Sequence, residues 1–252
     1  MRTTAIINNK GGVAKTVTTV NMAAILAADH SKRVLVVDAD SQANTTEFFG
    51  GPAWGQSTFA DLLRKVDGNN PARPANLPGV DLLPADDSLM DLDLSKVATD
   101  SVDALCLRNF LKGCSQVYDY VLIDCPPAFN AASTAALVAA DDVIIPIKMD
   151  AFALRGMANL MRQIKNMQQI NPKLRLAGLL PTMVYKSASI TEASELLAAS
   201  GLPVFPGIRR TPKVDDMTWA QEPLISSSPK SAACRDYRRF VAAYLEGGVV
   251  NG

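Results

Sequence analysis

The sequence predicts a doubly wound α/β fold, a mainly parallel sheet with helices on both faces. Two observations carry this. Apolar β-type runs alternate with helical patterns along the chain. Several of those runs are apolar throughout, as strands covered on both faces are. The length of 252 residues, 48% of them hydrophobic, suits one sizeable domain over 1–252.

In order, strands are expected at Thr4–Asn8, Val34–Asp38, Val80–Pro84, Tyr120–Asp124, Val143–Ile147, Leu176–Pro181 and Val204–Ile208. Helices are expected at Lys15–Ala28, Val102–Lys112, Ala132–Ala139, Leu154–Ile170, Ile190–Ser200 and Ser231–Leu245. Asp67–Pro78, rich in Pro, Asn and Gly, reads as a surface loop. In such sheets ligands bind at the carboxyl ends of the strands, so motifs at those ends carry the functional reading.

The first motif is Asn9-Lys10-Gly11-Gly12-Val13-Ala14-Lys15-Thr16-Val17. It follows the run Ala5-Ile6-Ile7 and precedes a helical pattern. Strand, glycine-rich turn and helix in that order form a phosphate cradle, with backbone N–H groups and the helix dipole facing an anion. The ordinary P-loop is G-x-x-x-x-G-K-[ST]. Asn9 and Ala14 stand where its glycines would be, Lys15 and Thr16 are kept, and Lys10 adds a second lysine. Lys15 is placed for the β- and γ-phosphates, and Thr16 offers a hydroxyl to Mg²⁺. Extra positive charge matters because phosphoryl transfer is catalysed mainly by positioned charge.

The second motif, Asp38-Ala39-Asp40, puts two carboxylates at the end of an apolar strand. They face the same side if the pleat persists, and like charges so close need compensation by cations or hydrogen bonds. The third, Val121-Leu122-Ile123-Asp124 before Cys125-Pro126-Pro127, is a hydrophobic strand ending in an acid, the Walker B arrangement. The prolines force the chain out of the sheet there.

With these three motifs the chain resembles the ParA/MinD group of deviant Walker A P-loop ATPases, and most of all the small Soj-like ParA partition ATPases. Leu82-Leu83-Pro84-Ala85, Asp124–Ala132, Pro146–Gly156, Leu180–Tyr185 and Pro229-Lys230-Ser231 are similar to further family segments. The resemblance implies ATP and Mg²⁺ as cofactors and a slow ATPase. It makes Lys10 the signature lysine that reaches a dimer partner's nucleotide, and gives catalytic roles to Lys10, Lys15 and Asp40. Asp40 would orient the attacking water. The nucleotide would lie against Lys10, Gly11, Gly12, Val13, Ala14, Lys15, Thr16, Val17, Asp38, Thr182, Met183 and Arg209. The metal would lie near Thr16, Asp40 and Asp124. The resemblance further implies an ATP-sandwiched homodimer that holds DNA without sequence preference, released when a ParB-type centromere-binding partner stimulates hydrolysis. The chain departs from the pattern at Ala14 (commonly Gly), Val17 (often Thr), Ser41 (often Pro) and Arg209 (where a proline would stand).

Formal net charge is zero, so any polyanion binding needs a local patch. Candidates are Lys186, Arg210, Lys213, Lys230, Arg235 and Arg238, beside Asp215, Asp216 and Asp236 that offset them. The sequence shows no signal peptide and no apolar run of ~18–20 residues, so a cytoplasmic protein is expected, and the resemblance implies nucleoid association. The end Leu245–Gly252 lacks the basic amphipathic pattern of a membrane anchor. No helix-turn-helix extension is expected before the first strand. Four cysteines without C-x-x-C spacing, and one histidine, argue against zinc and against an iron–sulfur ATPase. A nucleotide-dependent positioning or adaptor ATPase that never binds DNA is the alternative reading.

Overall fold

The computed structural model describes residues 1–51, 55–66, 70–92, 103–149 and 151–247, with the backbone alone for 151–156. Seven strands form one sheet: β1 (Arg2–Ile6), β2 (Val34–Asp38), β3 (Arg73–Pro74), β4 (Val80–Leu83), β5 (Tyr120–Asp124), β6 (Asp142–Lys148) and β7 (Arg175–Thr182). Their order is β3-β4-β2-β5-β1-β6-β7. All neighbours are parallel except β3 against β4.

The helices are α1 (Lys15–Ala28), α2 (Asn44–Phe48), α3 (Phe59–Leu63), α4 (Cys106–Gly113), α5 (Ala131–Ala139), α6 (Ala151–Ile170), α7 (Ala188–Ala199), α8 (Pro212–Ala220), α9 (Leu224–Ser227) and α10 (Ala232–Leu245), with a 3₁₀ turn at Asp87–Asp91. Alternate strand residues feed two cores. Ala5, Leu35, Val37, Val121 and Ile123 pack with residues of α3 to α7. Ile6, Val34, Val36, Leu122 and Ile144 pack with α1, α2 and α8 to α10. A sheet sealed on both faces explains why its strands read as continuous apolar runs.

Hydroxyl bonds draw α10 onto the first strand and helix. Tyr244 and Thr4 hydroxyls lie 2.6 Å apart, and Tyr237 and Thr18 hydroxyls 3.3 Å apart. At the opposite ends of the strands, buried Asp142 pairs with Arg2 and Arg175 and accepts from Tyr244 Oη.

Three expectations are corrected. Val204–Ile208 is not a strand. It runs beside β7 through a bridge at Leu179 and Val204 and single bonds such as Phe205 N to Leu179 O, 2.8 Å. Pro203 and Pro206 have no N–H for a ladder, and the Phe205 ring sits where a Cβ on Gly178 would be, 2.7 Å away. The loop expected over Asp67–Pro78 contains the edge strand β3; its residues 67–69 lie outside the described ones. The first strand begins at Arg2 and ends at Ile6, releasing Ile7 and Asn8 to the loop. Val102, given to a helix, and the tail 248–252 also lie outside the described residues. No described helix is long and apolar enough to cross a membrane.

Candidate functional site

The glycine-rich loop leaves β1 at the middle of the sheet. Buried Asn8 staples its base: Nδ2 donates to Pro146 O at 2.8 Å, and Oδ1 accepts Lys10 N at 3.0 Å. Gly12 (φ 67°) and Ala14 (φ 70°) are both left-handed. That conformation suits glycine and costs an alanine about 1 kcal/mol. Ala14 gives α1 no side-chain cap, so the dipole end faces the loop. Lys15 is buried and folds back so that Nζ donates to Lys10 O at 3.1 Å. Burial lowers its pKa, against the opposing pull of Asp124 and Asp40.

Beside this loop β5 and β2 end in register, with Asp38 across from Asp124. Asp124 is buried; its Oδ2 accepts from Thr16 Oγ1 and Thr45 Oγ1, each at 2.6 Å. Its Oδ1 is buried without a partner. Asp38 is fully enclosed. Its Oδ1 accepts Asp40 N at 3.1 Å, and its Oδ2 accepts Thr46 N and Oγ1, both at 2.8 Å. Burial pushes both carboxyls above the usual carboxylate range. Asp124 adds to the shift of Asp38; Thr16, Thr45 and Lys15 oppose that of Asp124.

The pleat does not persist past Asp38. β2 stops there, and Asp40 sits half-buried in a turn, its Oδ1 accepting Gln42 N at 3.1 Å. The two acids therefore take different environments. Asp38, expected above to contact nucleotide, lies inside the protein with both oxygens bonded.

A cleft of about 710 Å³ opens from the end of the loop, lined by Ala14, Val17, Thr182, Met183, Arg209 and Tyr237 among others. Thr182 Oγ1 donates to Val13 O at 3.2 Å, tying β7 to the loop. Arg209 lies on the rim, its Nε and Nη2 each 2.7 Å from one oxygen of Asp236. The same carboxylate accepts Arg209 N at 3.1 Å.

Residues 1–176 match the AAA domain family model. The chromosome partitioning protein ParA of Caulobacter vibrioides is 35% identical over 250 residues, covering 95% of this chain and 92% of that one. The chain belongs to the ParA/MinD family of P-loop ATPases. Among solved structures, cobyrinic acid a,c-diamide synthase from Mycobacterium smegmatis, with a bound ATP analog and magnesium, is 31% identical over 98% of this chain and 94% of that one, TM-score 0.83. Apo McdA of Cyanothece shares the fold at TM-score 0.87 and 23% identity, covering 97% of this chain and 99% of that one.

The side chains fit a magnesium ion of the kind P-loop ATPases use. Asp124 keeps an unpartnered buried oxygen beside the Thr16 hydroxyl. Among the described residues no three of His, Cys, Asp or Glu gather to hold a metal, so nucleotide and water oxygens would complete the shell. The four cysteines are free; Cys106, Cys125 and Cys234 are buried and Cys114 is half-buried.

The ParA-type basic candidates divide between elements. Lys186 is exposed after β7, and Arg210 is exposed on the cleft rim. On α8, Lys213 Nζ pairs with Asp216 at 2.8 Å. Exposed Lys230 precedes α10, and its carbonyl accepts Arg235 Nη1 at 2.6 Å. Arg238 pairs with Asp29 at 2.7 Å. Sequence reasoning missed Asn8, Thr45 and Thr46, and named Asp236 only as one of the acids offsetting the basic candidates. Of the missed three only Thr45-Thr46 left a trace, a pair of hydroxyls shortly after an Asp-x-Asp run.

Proposed function

We propose that this chain is an ATP-dependent molecular switch for DNA partition, acting as one domain over 1–252. The observation that carries the reading is the two-lysine loop set against Asp124 and the Asp40 turn at three adjacent strand ends. Lys15 and the loop amides would hold the β- and γ-phosphates, and Gly11, Gly12, Val13 and Ala14 let them approach. Thr16 would hold Mg²⁺, with Asp124 and Asp40 beside its water shell. When bound, that ion neutralises charge developing on the phosphate oxygens. Asp40 would orient the attacking water. The cleft with Val17, Thr182, Met183 and Arg209 would take the nucleoside.

Lys10 would reach the nucleotide of a second copy, so that ATP creates a homodimer. Dimerisation doubles any basic patch, which makes DNA binding conditional on ATP. Basal turnover would be slow. A ParB-type activator that completes the charge constellation would add about 10³–10⁵ in rate, as in related NTPases. One observation favours the alternative, a positioning or adaptor ATPase that does not hold DNA: Lys213 and Arg238 already pair with acids.

One experiment separates the two: a DNA-binding titration with ATP, with ADP and without nucleotide. Retention with ATP alone, steeply weakened by salt, is the expected result. No binding in any state would leave the adaptor reading. In sedimentation, Lys10→Ala should remain monomeric with ATP; a dimer there would remove Lys10 from the interface.

A further inference from the structure

The turn that carries Asp40 runs from Ala39 to Ala43, between β2 and α2. Its near end is fixed by Ala39 N donating to Asp124 O at 2.9 Å and Asp40 N to Asp38 Oδ1 at 3.1 Å. Ala43 N closes the turn onto Asp40 O at 2.9 Å. The far end is α2, of five residues, whose N-cap Ala43 is left-handed and offers no side-chain bond. So short a helix has no stability of its own.

Two buried hydroxyls hold it instead. Thr45 Oγ1 donates to Asp124, and Thr46 donates to Asp38 through both N and Oγ1. Thr46 Oγ1 also accepts Ala85 N at 2.9 Å, which satisfies its single proton and a lone pair. Consecutive residues thus reach the acids of two neighbouring strands. Asp38 grips the turn at residue 40 and at residue 46. Asp124 accepts from the turn on one side and from Thr16 of the phosphate loop on the other.

We propose that Thr45 and Thr46 are positioning residues, whose hydroxyls lock the Asp40 turn onto the two buried carboxylates and hold it beside Thr16 before nucleotide arrives. This rests on the ATPase reading above.

The test removes each hydroxyl at nearly constant shape, Thr45→Val and Thr46→Val, and restores it without the methyl, Thr45→Ser and Thr46→Ser. Expected for the valine variants is ATP affinity within about threefold of wild type and kcat lowered about tenfold or more. The serine variants should return to within about threefold. Amide exchange of the nucleotide-free protein should accelerate over 39–48 in the valine variants, and elsewhere only at Ala85 in Thr46→Val, which loses its acceptor. Wild-type kcat in both valine variants, or a loss that serine does not restore, overturns the proposal. So does unchanged exchange over 39–48. If Thr46→Val does not fold, Thr45→Val, which leaves the Ala85 bond intact, carries the same test. A wild-type protein without hydrolysis would sink the ATPase reading, and the exchange measurement would still decide the lock.

Discussion

Asp38, Thr45, Thr46 and Asp124 are buried beside the glycine-rich loop, and their bonds run inward to one another and to backbone. On the cleft rim and beyond it, Arg209, Lys213 and Arg238 meet their acids at or near the solvent boundary. A buried polar group left without its partner costs the full desolvation of that group, whereas an exposed ion pair contributes ~0–1 kcal/mol. The buried cluster should therefore respond to loss of single atoms and to pH. The outer end should respond mainly to salt.

The sharpest way to break this contrast is Asp40→Ala. It should keep ATP binding and dimerisation while lowering hydrolysis about 10²–10⁴-fold. Wild-type turnover in a phosphate-release assay would take Asp40 out of the chemistry.

A pH series probes the buried pair. In the nucleotide-free protein Asp38 is raised from an unfolded value of about 4 to about 7. The folded state then holds the extra proton in that window. Stability should be greatest at its acid end and fall as pH rises through it. Urea titrations between these pH values would show the slope. Asp38→Asn should reduce it, leaving the part that Asp124, raised by its own burial, contributes, while lowering stability because its amide nitrogen faces an N–H donor.

Ala14→Gly removes the methyl from a left-handed residue and should stabilise the protein by roughly 0.5–1 kcal/mol, or about 2 °C in Tm. A lowered Tm would mean that the methyl makes a contact worth more than the strain. The smallest effect belongs to the outer end. Lys213→Ala should change stability by less than about 0.5 kcal/mol. With ATP and DNA it should reduce the slope of log affinity against log salt by about one. An unchanged slope would remove α8 from the DNA face.

The central sheet was legible because burial on both faces leaves uninterrupted apolar runs such as Val34-Leu35-Val36-Val37. The phosphate loop was legible because its glycines and lysines stand between such a run and a helix. What escaped is short or lacks a stripe. α8 buries Met217 alone, so no apolar periodicity marks it, although Thr211 before Pro212 is a helix-start signal that sequence reasoning passed over. α2 has no cap side chain and depends on acids distant in sequence. Val204–Ile208 has strand composition, but Pro206 within it, Pro203 just before it and the Phe205 ring over Gly178 decide otherwise. Arg209 was visible as a departure from the family pattern and Asp236 as an offsetting acid; their pairing across 27 residues was not.

The bond between Thr16 and Asp124 joins residues 108 apart in the chain, and that between Thr18 and Tyr237 spans 219. During synthesis the glycine-rich loop therefore emerges long before anything can hold it. A nascent chain lacking β5 carries the phosphate signature in its sequence with no acid beside it, and one lacking α10 leaves α1 unclamped. Loop-closure entropy makes such distant pairings late events. The ability to grip a nucleotide should thus arrive abruptly, only once β5, β6 and β7 have all emerged, and a truncation series tied to the ribosome would register that arrival as a step instead of a ramp.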